Sequence, residues 1–142
     1  MQERGHHVIT IPHQQVIARA RARMAFETVT VALHEIVVGH NARGGNLLEI
    51  HEQADCVEVF QRGLIFPSLR ILFDLATLDV SYQQPARCAD APPTEGTIVP
   101  GFNECLLMID SAGIAHRIRC KDLAATLLAP AMQAPTMLKC AA

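Results

Sequence analysis

Between residues 26 and 60, the hydrophobic positions predict two strands joined by a glycine turn. Val29, Val31 and Leu33 alternate with smaller or polar neighbours, which is the period of a half-buried strand. The tip at 41–45 ends in two glycines and is typical of a tight turn. We therefore predict a β-hairpin. The apolar parity changes after Leu33, which indicates either a bulge or a strand covered on both faces.

The N-terminal segment predicts a strand followed by a helix. Residues 7–11 contain β-branched side chains, and Pro12 suits the first turn of a helix, where its missing N–H has no cost. Residues 13–25 are rich in Ala, Arg and Gln, which favour helix. The apolar side chains of this predicted helix share one face and form a stripe of Val16, Ile17, Ala20 and Met24.

Residues that commonly begin or end helices and turns predict the elements in the second half of the chain. They predict a helix over 68–78 with Ser68 as N-cap, a strand over 79–82, a loop over 85–100, a hairpin with arms 104–109 and 114–120, and a helix over 123–129 between Asp122 and Pro130. The first of these helices also fits the alternation of a strand. In the hairpin, a three-residue loop pairs Met108 with His116 and Cys105 with Arg119.

Together these elements predict an α+β fold, with an antiparallel sheet built from two β-hairpins and helices packed on it. A ferredoxin-like core with a C-terminal extension uses this order of elements, and so does a small curved sheet wrapping the first helix. A chain of 142 residues has the length of one domain. We place that domain at 1–130 and a C-terminal tail at 131–142.

Composition narrows the classes of partner and compartment. Half of the residues are hydrophobic and 4% are aromatic, so the core must be mainly aliphatic. The net charge of -2 is too small for bulk attraction to nucleic acid or to an anionic membrane, and we expect neither as a partner. Five cysteines without a CxxC motif argue against a disulfide scaffold or a zinc site and for a reducing compartment. The predicted location is cytoplasmic.

The charge is divided along the chain. Residues 1–26 contain four arginines against Glu3, whereas residues 27–60 contain six acidic residues against Arg43. This division predicts that a basic helix packs beside an acidic hairpin, within the chain or across an oligomer. Apolar residues on both hairpin faces exceed what one small layer hides. We therefore expect a non-enzymatic binding or assembly module that forms a homo-oligomer, with a small apolar molecule as a further expected ligand.

Two His-Glu dipeptides, His34-Glu35 and His51-Glu52, are the main candidate chemistry. If opposed residue numbers in the hairpin sum to 86, His34 meets Glu52 while Glu35 and His51 lie together on the other face. Such pairs resemble a general base more than a metal cage, so we predict neither a metal nor a cofactor. An odd register would bring the two imidazoles together. Polar residues on a solvated sheet face are the simpler interpretation, and a small enzyme using these four catalytic residues is the alternative.

Two other groups have weaker chemical interpretations. Arg119 opposite Cys105 favours a thiolate, although a buried, apolar cysteine is the more ordinary role. Arg19, Arg21 and Arg23 suggest contacts with phosphates. On a helix, however, Arg21 points away from the other two, and no aromatic platform accompanies them. Nucleic-acid binding is therefore not expected.

Overall fold

Over the residues that the structure describes, the protein combines two helices with a seven-stranded antiparallel sheet, which is a mixed α+β fold as predicted. The structure is a computed structural model that describes residues 2–85, 93–101 and 105–133, with side chains from residue 13 onward. In chain order the elements are α1 (Gln2–Ala42), β1 (Leu48–Glu52), β2 (Cys56–Gln61), β3 (Leu69–Asp74), β4 (Asp79–Gln84), β5 (Thr94–Pro100), β6 (Cys105–Ile109), β7 (Ala115–Arg119) and α2 (Cys120–Met132).

The helix α1 is much longer than the sequence pattern predicts. It contains the predicted helix 13–25, but it also replaces the strand predicted at 7–11 and the first arm of the predicted hairpin. Both strand predictions are wrong. The hairpin register that would have paired this arm with residues 46–60 does not exist.

The alternation that predicted a strand has a helical origin. Val29 and Leu33 lie four residues apart and are fully buried, whereas Val31 between them is 57% exposed. Positions i and i+4 share a helix face, and i+2 lies on nearly the opposite face. α1 therefore carries two apolar rows, and together they imitate the two-residue period of a strand.

The seven strands lie side by side in the order of the sequence. In the described part of the chain, α1 precedes all seven strands in the sequence and α2 follows them. The ferredoxin-like core is therefore not confirmed. The predicted return arm forms two strands, β1 and β2, that pair with each other. The helix predicted over 68–78 is wrong, because β3 occupies 69–74 with Leu69, Ile71 and Phe73 buried in alternation. As a central strand, β3 satisfies its backbone donors and acceptors on β2 and β4.

The second hairpin has the register that its short turn predicts. β6 and β7 pair Cys105 with Arg119 and Met108 with His116. The loop prediction is wrong over β5, whose pairing with β4 and β6 supplies the stabilisation that a sequence with Gly96 and Pro100 does not indicate. Residue 104 and residues 86–92 lie outside the described residues.

The helix α2 begins earlier and ends later than the predicted 123–129. Arg119 is its N-cap, Asp122 lies in the first turn, and Pro130 lies inside the helix near its end. The Ala131 carbonyl accepts hydrogen bonds from the side-chain amides of Asn46 (2.8 Å) and Gln61 (2.9 Å), which satisfies one of the carbonyls left open at a helix end. The predicted tail thus begins inside α2, and its residues 134–142 lie outside the described part of the chain.

Both helices pack on one face of the sheet. α1 contacts β1, β3, β4 and β5, and α2 contacts β3, β6 and β7. Phe26 of α1 stacks on Phe73 with the ring centroids 5.9 Å apart. Arg23 of α1 lies over the Phe73 ring and forms an ion pair with Asp55 at 3.4 Å. This pair joins the basic helix to the acidic segment within the chain, one of the two packings that the charge division predicts.

Candidate functional site

The four predicted site residues lie on a helix and a strand rather than on two hairpin arms. His34 and Glu35 are on α1, and His51 and Glu52 are on β1. His34 Nε2 lies 2.7 Å from Oε1 of Glu52, so the predicted neighbours do meet, although through a different fold. Their side chains are 42% and 54% exposed. The contact is therefore a solvated surface pair.

Glu35 and His51 have separate surroundings. The ring of His51 lies against Phe60, with centroids 4.8 Å apart, and its Nε2 is 3.8 Å from Oε1 of Glu49. Glu35 is exposed on α1 near the start of α2. Burial raises the pKa of the Cys120 thiol, and the nearby Glu35 carboxylate raises it further. The four residues thus form one pair, His34 with Glu52, while His51 and Glu35 have other neighbours. Their catalytic role stays a prediction.

A second histidine–carboxylate pair has a structural explanation. His116 Nε2 lies 2.9 Å from Oδ2 of Asp110, across the turn between β6 and β7. The hydrogen bond from His116 holds the pKa of Asp110 below its usual range, and the backbone N–H groups of Ile114 and Ala112 lower it further. Oδ1 of Asp110 accepts from both of these N–H groups, at 2.9 and 3.0 Å. This carboxylate therefore organises the turn.

A groove of about 750 Å³ lies between α1, the ends of β5 and β6, and the start of α2. Its lining includes three cationic side chains, Arg21, Arg119 and Lys121, and an apolar wall that includes Met24 and Leu106. The sequence did not reveal this groove, because its residues come from three distant segments. Only the predicted pairing of Cys105 with Arg119 pointed to one part of its wall.

The outward face of α1 carries a row of exposed apolar side chains. Ile17, Met24, Val31 and Val38 are 49%, 67%, 57% and 68% exposed, and seven residues separate each from the next. The apolar stripe predicted for residues 13–25 is thus present, but all four of its residues are exposed to solvent. Residues 13–21 are exposed throughout. This part of α1 extends beyond the core.

Among the described side chains, at residues 13–85, 93–101 and 105–133, no three His, Cys, Asp or Glu lie close enough together to hold a metal ion. Over the same described residues, neither helix has an apolar stretch long enough to cross a membrane. In comparisons with known proteins, the chain matches no family model, no curated protein and no solved structure. The functional argument therefore depends on the geometry of the chain itself.

Proposed function

We propose that the chain is a non-enzymatic assembly module that associates with a second copy of itself through the outward face of α1. The row formed by Ile17, Met24, Val31 and Val38 is the observation that supports this proposal. On a helix that rises 1.5 Å per residue, the row is about 30 Å long. Single exposed apolar residues are common on protein surfaces, whereas an aligned row of this length is typical of a contact surface.

A second copy is the partner that this row fits best. A seven-residue repeat is the spacing at which two α-helices keep the same face in contact along their length. Two identical rows related by a two-fold axis cover each other completely, as in most symmetric dimers. Burying one side chain of this size contributes about 1.5–3 kcal/mol, so four from each copy supply a substantial driving force.

The charges beside the row favour an antiparallel arrangement. Arg21 and Glu35 are exposed and lie on the same flank of the row, near its opposite ends. If the two-fold axis passes midway between Met24 and Val31, Arg21 of one copy lies opposite Glu35 of the partner subunit. In a parallel pairing, Arg21 and Glu35 of the partner subunit would instead lie about 21 Å apart along the helix axis, too far for an ion pair. The charge division of the sequence would then act across the oligomer as well as within the chain.

Sedimentation velocity of matched variants tests the assembly role. We expect the unmodified chain to sediment as a dimer at micromolar concentrations and Val31→Glu to sediment as a monomer, because the substitution places a carboxylate in the centre of the contact. Ile114→Glu is the control, since Ile114 is also 57% exposed but lies at the β6–β7 turn. This control should remain dimeric. A monomeric unmodified chain, or a dimeric Val31→Glu variant, would contradict the proposal.

A small enzyme is the second candidate, and the 2.7 Å contact between His34 and Glu52 supports it. A carboxylate beside an imidazole orients the ring, as in many general bases. The assembly role has more support, because this pair is open to solvent and lies outside the lining of the groove. Turnover of ester or phosphoester substrates that His34→Gln abolishes would favour the enzyme instead.

A further inference from the structure

The groove between α1 and the start of α2 combines positive charge with an apolar wall. We infer that it binds a small amphipathic anion, whose negatively charged head lies between Arg119 and Lys121 and whose apolar tail lies along Met24 and Leu106. This binding role is separate from the assembly role and does not depend on it.

The positive charge of the lining favours a ligand with a negatively charged head. Arg119 ends β7 and Lys121 lies in the first turn of α2, so basic residues of two adjacent elements line one opening. Arg21 of α1 also lines the groove, but the proposed dimer pairs it with Glu35 of the partner subunit, so the inference depends on Arg119 and Lys121. Among the residues that the structure describes, the arginines that form ion pairs are Arg23, Arg62 and Arg70, and none of these lines the groove. The groove therefore offers its positive charge to a bound anion.

The apolar part of the lining favours a ligand with an apolar tail. Ala25 and Leu106 are 4% and 7% exposed and form a packed floor, while Met24 is 67% exposed and adaptable at the rim. Burial keeps the pKa of the Cys120 thiol above its ordinary value, so this part of the wall is neutral at physiological pH. Glu35, which does not line the groove, also raises the pKa of Cys120. A volume of about 750 Å³ lies within the range of small-molecule sites.

The groove and the α1 row can be tested separately. Met24 belongs to both surfaces, but Val31 and Val38 do not line the groove. Arg119 and Lys121 do not lie on α1. Substitutions at these two pairs of positions therefore change one surface without changing the other.

Calorimetric titration of the full chain with sodium decanoate, below its micelle-forming concentration, tests the inference. We expect saturable binding that weakens about tenfold, or about 1.4 kcal/mol, in Lys121→Ala and in Arg119→Ala, since each substitution removes a hydrogen bond to the charged head. Arg117→Ala is the matched control, because Arg117 lies on β7 but outside the groove lining, and it should bind decanoate normally. Lys121→Ala is included because Arg119 is also the N-cap of α2.

Two further ligands distinguish the head from the tail. Decanol, which has the tail without the charge, and inorganic phosphate, which has the charge without the tail, should both bind more weakly than decanoate. Decanol binding as tightly as decanoate, phosphate binding as tightly as decanoate, or no decanoate binding at all would overturn the inference. Equal losses in Arg117→Ala and Lys121→Ala would also overturn it. Val31→Glu should bind decanoate normally, so failure of the assembly role would leave this result unchanged.

Discussion

At the scale of single residues, two glycines show opposite constraints on the chain. Gly96 of β5 faces Tyr82 of β4, and a Cβ atom at Gly96 would overlap the carbonyl oxygen of Ile109 and lie 2.5 Å from the Tyr82 hydroxyl. Gly39 lies within α1, where a Cβ atom would meet only the Arg43 side chain at 3.5 Å. The first site has no room for a methyl group, whereas the second accepts one.

Alanine at each glycine should therefore change stability in opposite directions. We expect Gly96→Ala to lower the free energy of unfolding by about 1–3 kcal/mol, because the backbone of β6 must shift to relieve the overlap. Gly39→Ala should raise it by roughly 0.5–1 kcal/mol, since alanine costs less backbone entropy in a helix. Urea unfolding of both variants measures these changes. An unchanged free energy of unfolding in Gly96→Ala would contradict this prediction, because it would show that β5 and β6 separate easily at this point.

At the scale of elements, α1 has two segments that differ in how much they pack against the rest of the chain. Residues 13–21 are exposed throughout, while the first buried side chain from residue 13 onward is Ala22, and burial then recurs to Val37. A short helical segment is marginally stable in water unless it packs on another element. The exposed segment therefore depends on the proposed second copy much more than the packed segment does.

Hydrogen exchange should reveal this difference within one helix. We expect the amides of 13–21 to be protected in the unmodified dimer and to exchange much faster in the Val31→Glu monomer, because their covering surface is lost. Residues 25–37 should keep their protection in both, since the core holds them. The Ile114→Glu control should match the unmodified chain. Equal protection of 13–21 in monomer and dimer would mean that the helix needs no partner.

At the scale of the whole molecule, the packed face of α1 connects the two helices to the sheet. Leu33 is fully buried among side chains of the common core, whereas Val38, five residues later, is 68% exposed. α1 contacts α2 and four of the strands. Helices and sheet should therefore lose their structure in one transition.

Truncation of one buried side chain in α1 should thus destabilise the whole molecule. Leu33→Ala is expected to cost about 2–5 kcal/mol through lost contacts and a residual cavity. Far-UV circular dichroism follows the helices, and fluorescence of Tyr82, the single tyrosine of the chain, follows the sheet. Both signals should shift together at a fixed protein concentration. Val38→Ala should have a smaller effect, and separate midpoints for the two signals would contradict a single core.

The candidate site was predictable only in part. The sequence identified His34 and Glu52 as neighbours, but it did so through strand pairing, whereas the contact joins α1 to β1. It could not locate the groove, whose walls come from distant segments. Contacts between remote segments depend on how elements pack, and this is not encoded in local spacing.

The sequence by itself determined the α+β class, the β6–β7 turn and its register, because turn chemistry and strand alternation act over a few residues. Only the tertiary structure decided whether the alternation at 29–33 and at 69–73 meant helix or strand. In β3 the neighbouring strands complete the hydrogen bonds of the backbone. In α1 the second apolar row stays outside the core. The same two-residue period therefore has two structural meanings, and the partners that each segment packs against determine which one is realised.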